Sequence, residues 1–525
     1  MKKTTFLTAV LATLVYTLSF LPSAHAIVEL FDGKLKLNGN IKESILYRTQ
    51  MDAEAKKYHD CSMDYDVTSG LLEALYTFKE DENGALRAYA GFKYWWDKAP
   101  MYDDKLHHNI YKTERKDYVR PRNFDDDVLT EAYIDYINGP LQVKVGKQIV
   151  IWGQLDIQRV ADVVNPLDLR KGAPGIDSWE EVKRGIWMIR SIYKSQLPGD
   201  LQFEGIFNPG DYRGMELAYE GTHYGSEHAP NNPFKPGPAF GIFSWQQQKW
   251  RQDMPGWALK NYELGFRLTG YTWDTDWTLL AWNALDDGPV ANPRHATPYM
   301  LEYIEAGIFS EILGRGINPP PAKAFHQRVW QYKRYTTFGG TAQRVVKPLW
   351  DSVWRLEWYY EKSRPLDLGT GGDKAAVYDW TRRSVVGGAV QCSKDIRIPG
   401  FTDSIIANSA LTTVAFTFFY EKIPHFSNDL VVDDRNHQAG HSSTQQLILY
   451  VQQSLFQGSF MFIFTGNYYL HVAKWMAVPA LSYMFPGKHW RLDLGYAAYG
   501  VGRKDYLVRT TDRKDSIITR LRYEF

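Results

Sequence analysis

The amino-acid sequence predicts an all-β protein, a transmembrane antiparallel β-barrel of about eighteen strands with long extracellular loops. Three observations predict it. Apolar and polar residues alternate with period two, connections between the alternating segments are short and long in turn, and the chain ends on Phe525 after an alternating segment.

Leu35, Leu37, Gly39, Ile41, Ile45 and Tyr47 alternate with Lys34, Lys36, Asn38, Asn40, Lys42, Ser44 and Arg48. Tyr262, Leu264, Phe266 and Leu268 alternate with Glu263, Gly265, Arg267 and Thr269. Trp354, Leu356, Trp358 and Tyr360 alternate with Val353, Arg355, Glu357 and Tyr359, and Trp490, Leu492, Leu494 and Tyr496 with Arg491, Asp493 and Gly495. Successive strand side chains point to opposite faces, so each segment has one apolar and one polar face. A soluble sandwich would alternate in the same way with its apolar face inward. Many segments are instead ten or more residues long, enough to cross a bilayer at a tilt, whereas sandwich strands are usually shorter. Aromatic residues crowd segment ends, as in Tyr94-Trp95-Trp96 and Trp358-Tyr359-Tyr360, which matches the interfacial girdles of membrane barrels.

The connections sort by length. Glu80 to Gly84, Asn138-Gly139-Pro140, Gln196 to Asp200, Thr272 to Thr275, Phe456-Gln457-Gly458 and Pro486 to His489 are short. Thr49 to Asp66, Asp97 to Asp127, Asn208 to Lys260, Asp286 to Gln327 and Lys422 to Ser443 are long and polar. Outer-membrane barrels combine short periplasmic turns with long external loops. The count falls to sixteen if the weakest segments, 328–338, 382–392 and 459–468, do not all cross. An even count returns both chain ends to one side.

Residues 1–26 read as a secretory signal peptide. Lys2 and Lys3 precede an apolar run from Phe6 to Leu21, and Ala24-His25-Ala26 fits the small-x-small cleavage rule. Residues 27–525 then form one outer-membrane β-barrel domain. The 525-residue chain is 44% hydrophobic and 15% aromatic, with a formal charge of +1. That balance disfavours a nucleic-acid partner. Mean hydropathy is -0.40, and no apolar run beyond residue 26 is long enough for a helical span. The two cysteines exclude a disulfide-built scaffold. Cys61 falls in the first external loop and Cys392 at the periplasmic rim, so both are expected as free thiols. In the last segment Ile517, Thr519, Leu521, Tyr523 and Phe525 share one face against Ile518, Arg520, Arg522 and Glu524. This terminal pattern resembles the recognition signal of bacterial outer-membrane barrels, which implies outer-membrane lipid and the barrel-insertion machinery as partners.

One stretch carries a family resemblance. It reads Val145-Gly146-Lys147-Gln148-Ile149-Val150-Ile151-Trp152-Gly153, then Asp156, then Val163-Val164-Asn165-Pro166-Leu167-Asp168. It resembles the Gly-[Arg/Lys]-Gln-x-x-x-Trp-Gly signature, followed by Asn-Pro-x-Asp, of a Gram-negative outer-membrane family catalogued as domain of unknown function thirteen-oh-two. Lys147 stands where that family more usually has Arg, and the match beyond Arg170 is loose. The resemblance implies a porin-like outer-membrane protein, often associated with resistance-nodulation-division exporters, and no established substrate.

The residues of that stretch also have a reading of their own. Val143 and Val145 take the lipid face, Lys144 and Gln148 the lumen face. Lys147 falls on the lipid-facing parity, where charge is costly, so a bulge near Gly146 is expected to turn it inward. Residues 154–164 fit a short helix. The loop beyond carries Asp156, Arg159, Asp162, Asp168, Arg170 and Lys171. Folded into the lumen, Lys147, Gln148, Trp152, Asp156, Arg159, Asp168 and Arg170 would form a charged constriction; left outside, they are a solvated surface loop. Closure of the barrel would set Arg520 and Arg522 beside Lys34, Lys36, Lys42 and Arg48, a basic wall with a weak preference for anions.

Enzyme signatures such as Gly-x-Ser-x-Gly, a P-loop or His-Glu-x-x-His are missing. His437 and His441, near Asp433 and Asp434, lie in a loop broken by Asn436 and Gly440, and no metal or other cofactor is expected there. His107-His108 and Asp125-Asp126-Asp127 read as solvated charge. The expected function is an outer-membrane channel passing solutes, or a conduit for a cargo linked to an inner-membrane exporter. The alternative is an outer-membrane barrel enzyme such as a lipid hydrolase.

Overall fold

Every long strand pairs antiparallel with its neighbours in sequence, and the last pairs with the first. The computed structural model describes residues 27–49, 60–106, 128–155, 158–168, 179–215, 252–253, 255–292, 330–349, 351–370, 376–431, 442–471, 473–487, 489–501 and 515–525. The first half of the wall comprises β1 (Leu35–Arg48), β2 (Met63–Asp81), β3 (Gly84–Asp97), β4 (Leu129–Asn138), β5 (Leu141–Gln148), β6 (Ile186–Lys194), β7 (Gln202–Asn208), β8 (Glu263–Thr272) and β9 (Thr275–Leu285). The second half comprises β10 (Arg334–Val346), β11 (Ser352–Thr370), β12 (Ala376–Ile396), β13 (Thr412–Lys422), β14 (Ser443–Leu455), β15 (Phe460–Tyr469), β16 (Lys474–Met484), β17 (Trp490–Val501) and β18 (Ser516–Glu524). Asn40 of β1 sits opposite Glu524 of β18, and Arg48 opposite Ser516, which closes an eighteen-strand barrel. The three weakest segments of the sequence pattern all contribute wall strands, β10, β12 and β15.

The alternation in the sequence becomes an inside and an outside. On β11, Leu356, Trp358 and Tyr360 are exposed while Glu357, Tyr359 and Glu361 are buried. On β7, Phe203 is exposed and Glu204 buried, and on β13 Phe416 and Phe418 are exposed while Thr417, Phe419 and Glu421 are buried. Ile134, Val145, Ile189, Phe266, Leu279, Phe338, Leu449, Leu494 and Ile517 continue the exposed apolar band around the wall. A band of that extent is unfavourable in water and favourable in hydrocarbon. Among the described residues no helix is long and apolar enough to cross a membrane; the crossing is made by strands.

Connections at one end are mostly tight, such as 82–83, 139–140 and 273–274. The turn between β12 and β13, residues 397–411, lies at this end too and breaks the rule of short turns. On β1, Glu43 breaks the apolar face. It lies opposite Leu521 on the outward parity, held by Lys98 at 2.5 Å and by the Thr68 hydroxyl at 2.6 Å.

Candidate functional site

The site is built by the chain between β5 and β6. At its start Gly146 has φ 142°, and a Cβ there would meet the Ala132 carbonyl oxygen at 2.1 Å. The ladders of β5 with β4 and with β6 stay in register through this residue. The expected bulge is therefore absent. Glycine's tolerance of positive φ lets the strand twist locally without an inserted residue. Lys147 is buried and its Nζ donates to the Leu129 carbonyl at 2.6 Å. Gln148 is also buried, its Nε2 donating to the Met188 carbonyl at 3.2 Å.

Asn165 ties the neck of the loop. Its Oδ1 accepts from the Val150 N–H at 2.7 Å, and its Nδ2 donates to the carbonyls of Gln148 at 3.0 Å and Arg184 at 2.8 Å. One side chain thus binds where the loop leaves the wall and where it returns. Arg159 donates through Nη2 to the Asn165 carbonyl at 2.6 Å and through Nε to the Asp162 carbonyl. Asp168 is fully buried, and its N–H donates to the Val182 carbonyl at 2.6 Å. Asp156 and Arg170 lie outside the described residues, as do His107, His108, Asp125 to Asp127, the His437–His441 pair and residues 1–26.

From that neck the chain reaches across the barrel. The N–H groups of Gln154, Leu155 and Ala161 all donate to the carboxylate of Glu357, the last two at 2.9 and 2.8 Å. Glu357 stands on the inner face of β11, six strands around the wall from β5. The expected helix over 154–164 does not form in the described parts, 154–155 and 158–164. The N–H groups of Gln154, Leu155 and Ala161 are aimed at Glu357 rather than at carbonyls four residues back. Val150, Trp152, Ala161 and Val164 pack with Ile186, Met188, Ile206, Leu280 and Trp282 of β6, β7 and β9. Val160 and Leu155 pack with Tyr359, Val385, Ala389 and Phe419 of β11, β12 and β13.

Trp152 lies at the centre of a charged knot. Its Nε1 donates to Glu204 at 3.0 Å, its backbone N–H to Asp162 at 3.2 Å, and its ring meets Trp282 edge-on at 5.9 Å. Glu204 also holds Arg190 at 2.8 Å and Arg267 at 2.5 Å, and the Arg267 guanidinium stands 5.7 Å from the Trp152 ring. Lys183 pairs with Asp162, and burial pushes its ammonium below the ordinary lysine range although Asp162 pulls the other way.

The return arm crosses to the opposite wall. The four-residue helix Trp179–Val182 carries Glu181, whose Oε2 meets Lys42 of β1 at 2.5 Å and whose carbonyl accepts from Lys93 of β3 at 2.5 Å. Burial raises the Glu181 carboxyl, but the charges of Lys42, Lys93 and Arg520 and the Lys42 hydrogen bond outweigh it and hold it at about 2. The basic wall expected from barrel closure is therefore countered from within. The charge of Arg520 acts on Glu181, Arg491 meets Asp493 at 2.6 Å, and Arg522 meets Glu524 at 2.9 Å. Among the described residues no group of His, Cys, Asp or Glu side chains is arranged to hold a metal.

Glu357, Glu204 and Glu181 were not singled out by sequence reasoning. The available signal was an acidic residue on the inner parity of a strand; its partners come from segments tens to hundreds of residues away.

A family profile described as "Protein of unknown function (DUF1302)" matches residues 7–525. No curated protein matches the chain. Among solved structures, OccAB3 of Acinetobacter baumannii is similar at 9% identity, with a TM-score of 0.46 over 94% of this chain and 99% of that one. A BenF-like porin from Pseudomonas fluorescens is similar at 10% identity, with a TM-score of 0.45 over 94% of this chain and 98% of that one.

Proposed function

The chain belongs to the DUF1302 family of proteins of unknown function, and from that premise we propose a function on its own geometry: a bacterial outer-membrane channel that passes solutes through a lumen narrowed by the β5–β6 loop. The observation that carries this reading is the inverted wall, apolar outside and charged inside, with one connection folded across its interior. Such a wall is suited to lipid, and barrels of about this size leave an aqueous lumen unless a loop fills it. Residues 1–26 act as the cleaved export signal. Lys147, Gln148, Arg159 and Asp168 position the loop at its neck, and Trp152 holds it against Glu204 and Arg267. Arg520 and Arg522 stand on the facing wall.

The test is single-channel current across planar bilayers. Stepwise conductance supports the channel. Silence in the wild type and in a variant whose loop is released overturns it. A second reading, a conduit for apolar cargo handed over by an inner-membrane exporter, is favoured by the apolar patches on the inner wall, among them Tyr65, Trp95, Val478 and Tyr499. It expects a silent wild type that conducts once the loop is released.

A further inference from the structure

The long turn 397–411 does not hang below the barrel; it folds back against the outer wall. Thr412 of β13 and Gln453 of β14 are opposite one another and share the parity of Phe416 and Leu449, both exposed on the outer face. Yet Thr412 is 5% and Gln453 4% exposed. The cover is the turn itself. Gln453 Nε2 donates to the Ala410 carbonyl at 3.3 Å, and the Phe456 N–H donates to the Ile406 carbonyl at 2.7 Å. Internal bonds from Ser409 to Thr402 and from Asn408 to Ser404 fix its shape, and Thr402 and Ala407 are buried within it.

The turn presents an apolar tip. Ile405 is 90% exposed, and Ile398, Ile406 and Leu411 are exposed beside it. A folded turn with satisfied internal bonds has no reason to expose adjacent isoleucines to water. The tip also continues a belt. Phe456, bonded to Ile406, contacts Phe460 at 5.7 Å; Phe460 contacts Tyr483 at 4.6 Å, and Tyr483 contacts Phe485 at 4.7 Å. Trp490 and Tyr523 at 4.8 Å extend it toward the seam. Aromatic rows of this kind mark the level where acyl chains meet headgroups. Lys394 lies on the outward parity of β12 opposite Val414, and Arg397 follows, 2.5 Å from Asp403. Basic side chains at that level reach phosphate while their stems lie in hydrocarbon.

We propose that the 397–411 turn is a membrane-interface anchor, with Ile405 and Ile406 set among the acyl chains of phospholipids in the leaflet at the turn end and with Lys394 and Arg397 meeting their phosphates. The occupant is lipid rather than a protein, because the apolar tip is continuous with the lipid-facing belt and the turn covers outward wall positions. The proposal rests on membrane insertion of the barrel and not on solute passage.

The test uses the full chain with Cys61→Ser and Cys392→Ser. An environment-sensitive fluorophore is attached at Ile405→Cys, and the folded protein is reconstituted in phosphatidylcholine–phosphatidylglycerol vesicles with or without brominated acyl chains. Insertion of the tip to interfacial depth predicts blue-shifted emission and quenching by brominated chains at least about twofold stronger than at Asp403→Cys. A label at Leu449→Cys, on the wall, reports barrel insertion separately. Quenching at 449 with water-like, unquenched emission at 405 overturns the anchor and leaves the channel reading standing; loss of quenching at 449 overturns insertion itself. If Ile405→Cys does not fold, Leu411→Cys carries the same expectation.

Discussion

Replacing Glu357 by Ala removes the side chain through which three N–H groups of the β5–β6 loop, those of Gln154, Leu155 and Ala161, are tied to β11. Glu357 is fully buried, so water does not replace the lost acceptor at once. A hydrogen bond to a charged group contributes about 1.5–3 kcal/mol, and coupled bonds add imperfectly, so the three together hold the loop by about 3–6 kcal/mol. Losing even about 3 kcal/mol raises the undocked population roughly a hundredfold. The apolar seat of Val160 and Leu155 remains, so the loop loosens at this end instead of leaving the lumen. Hydrogen exchange reads this directly, because local opening governs amide protection. The amides of 154, 155 and 161 should exchange faster in Glu357→Ala by about that factor, while those of the strands β14 to β16 stay protected. Single-channel records should show larger or noisier steps. Glu357→Gln, which keeps one acceptor oxygen but turns an amide N–H toward a donor, should fall between. If exchange at these three positions and conductance both match the wild type, Glu357 does not hold the loop.

Glu181 provides a pH arm. Its carboxyl is depressed from 4.5 to about 2, so its contribution to loop docking is complete above about 4.5 and is lost as pH falls through about 2. Protection around Trp179–Val182 should hold from neutral pH to that range and fall below it, and Glu181→Gln should abolish the dependence; loss of protection already near neutral pH would contradict the assignment. Neither cysteine is in a disulfide, and Cys392 lies opposite Trp354 and Phe416 on the outward face. An impermeant maleimide should label Cys61 on intact cells and spare Cys392, whereas a Cys61–Cys392 disulfide in non-reducing peptide maps would show the strand directions to be wrong. Deleting Phe525 removes two backbone bonds to Gly39 of 2.9 and 3.0 Å and a ring that closes over that glycine. The finished barrel should lose only a few kcal/mol, while outer-membrane levels should fall sharply; normal levels would refute a targeting role.

The wall was legible because period two is a local property. Leu356, Glu357, Trp358 and Tyr359 announce their faces from their own order, and closure of β18 on β1 follows from an even count. The seat of the loop was not legible. Glu357 meets Gln154 and Ala161 across some two hundred positions of sequence, and nothing near any of them marks the pairing. The motif around Asn165 lies in the loop that enters the barrel, and its residues clamp the neck of that loop. The charges that span the barrel, Glu181 and Glu204, lie outside that motif. Lys147 shows a finer limit: its position on the strand is awkward for a charge, and the structure has a local twist at Gly146 and no inserted residue. The 397–411 turn escaped the rule of short turns because that rule describes connections that need only reverse the chain, and this one also covers the wall.

The pairing of β18 with β1 joins the two ends of the chain. Its ring-closure entropy is therefore the largest of any neighbouring pair in the wall, and every other neighbouring pair can form before it. Until β18 arrives, β1 from Asn40 to Arg48 and β17 each present a bare row of amide and carbonyl groups, the arrangement through which unfinished sheets adhere to one another. A chain truncated before residue 516 would keep both rows permanently. Shortening this protein from its carboxyl end should thus produce aggregates and proteolytic fragments rather than a smaller pore, since seventeen strands in this order have no partner with which to complete the circle.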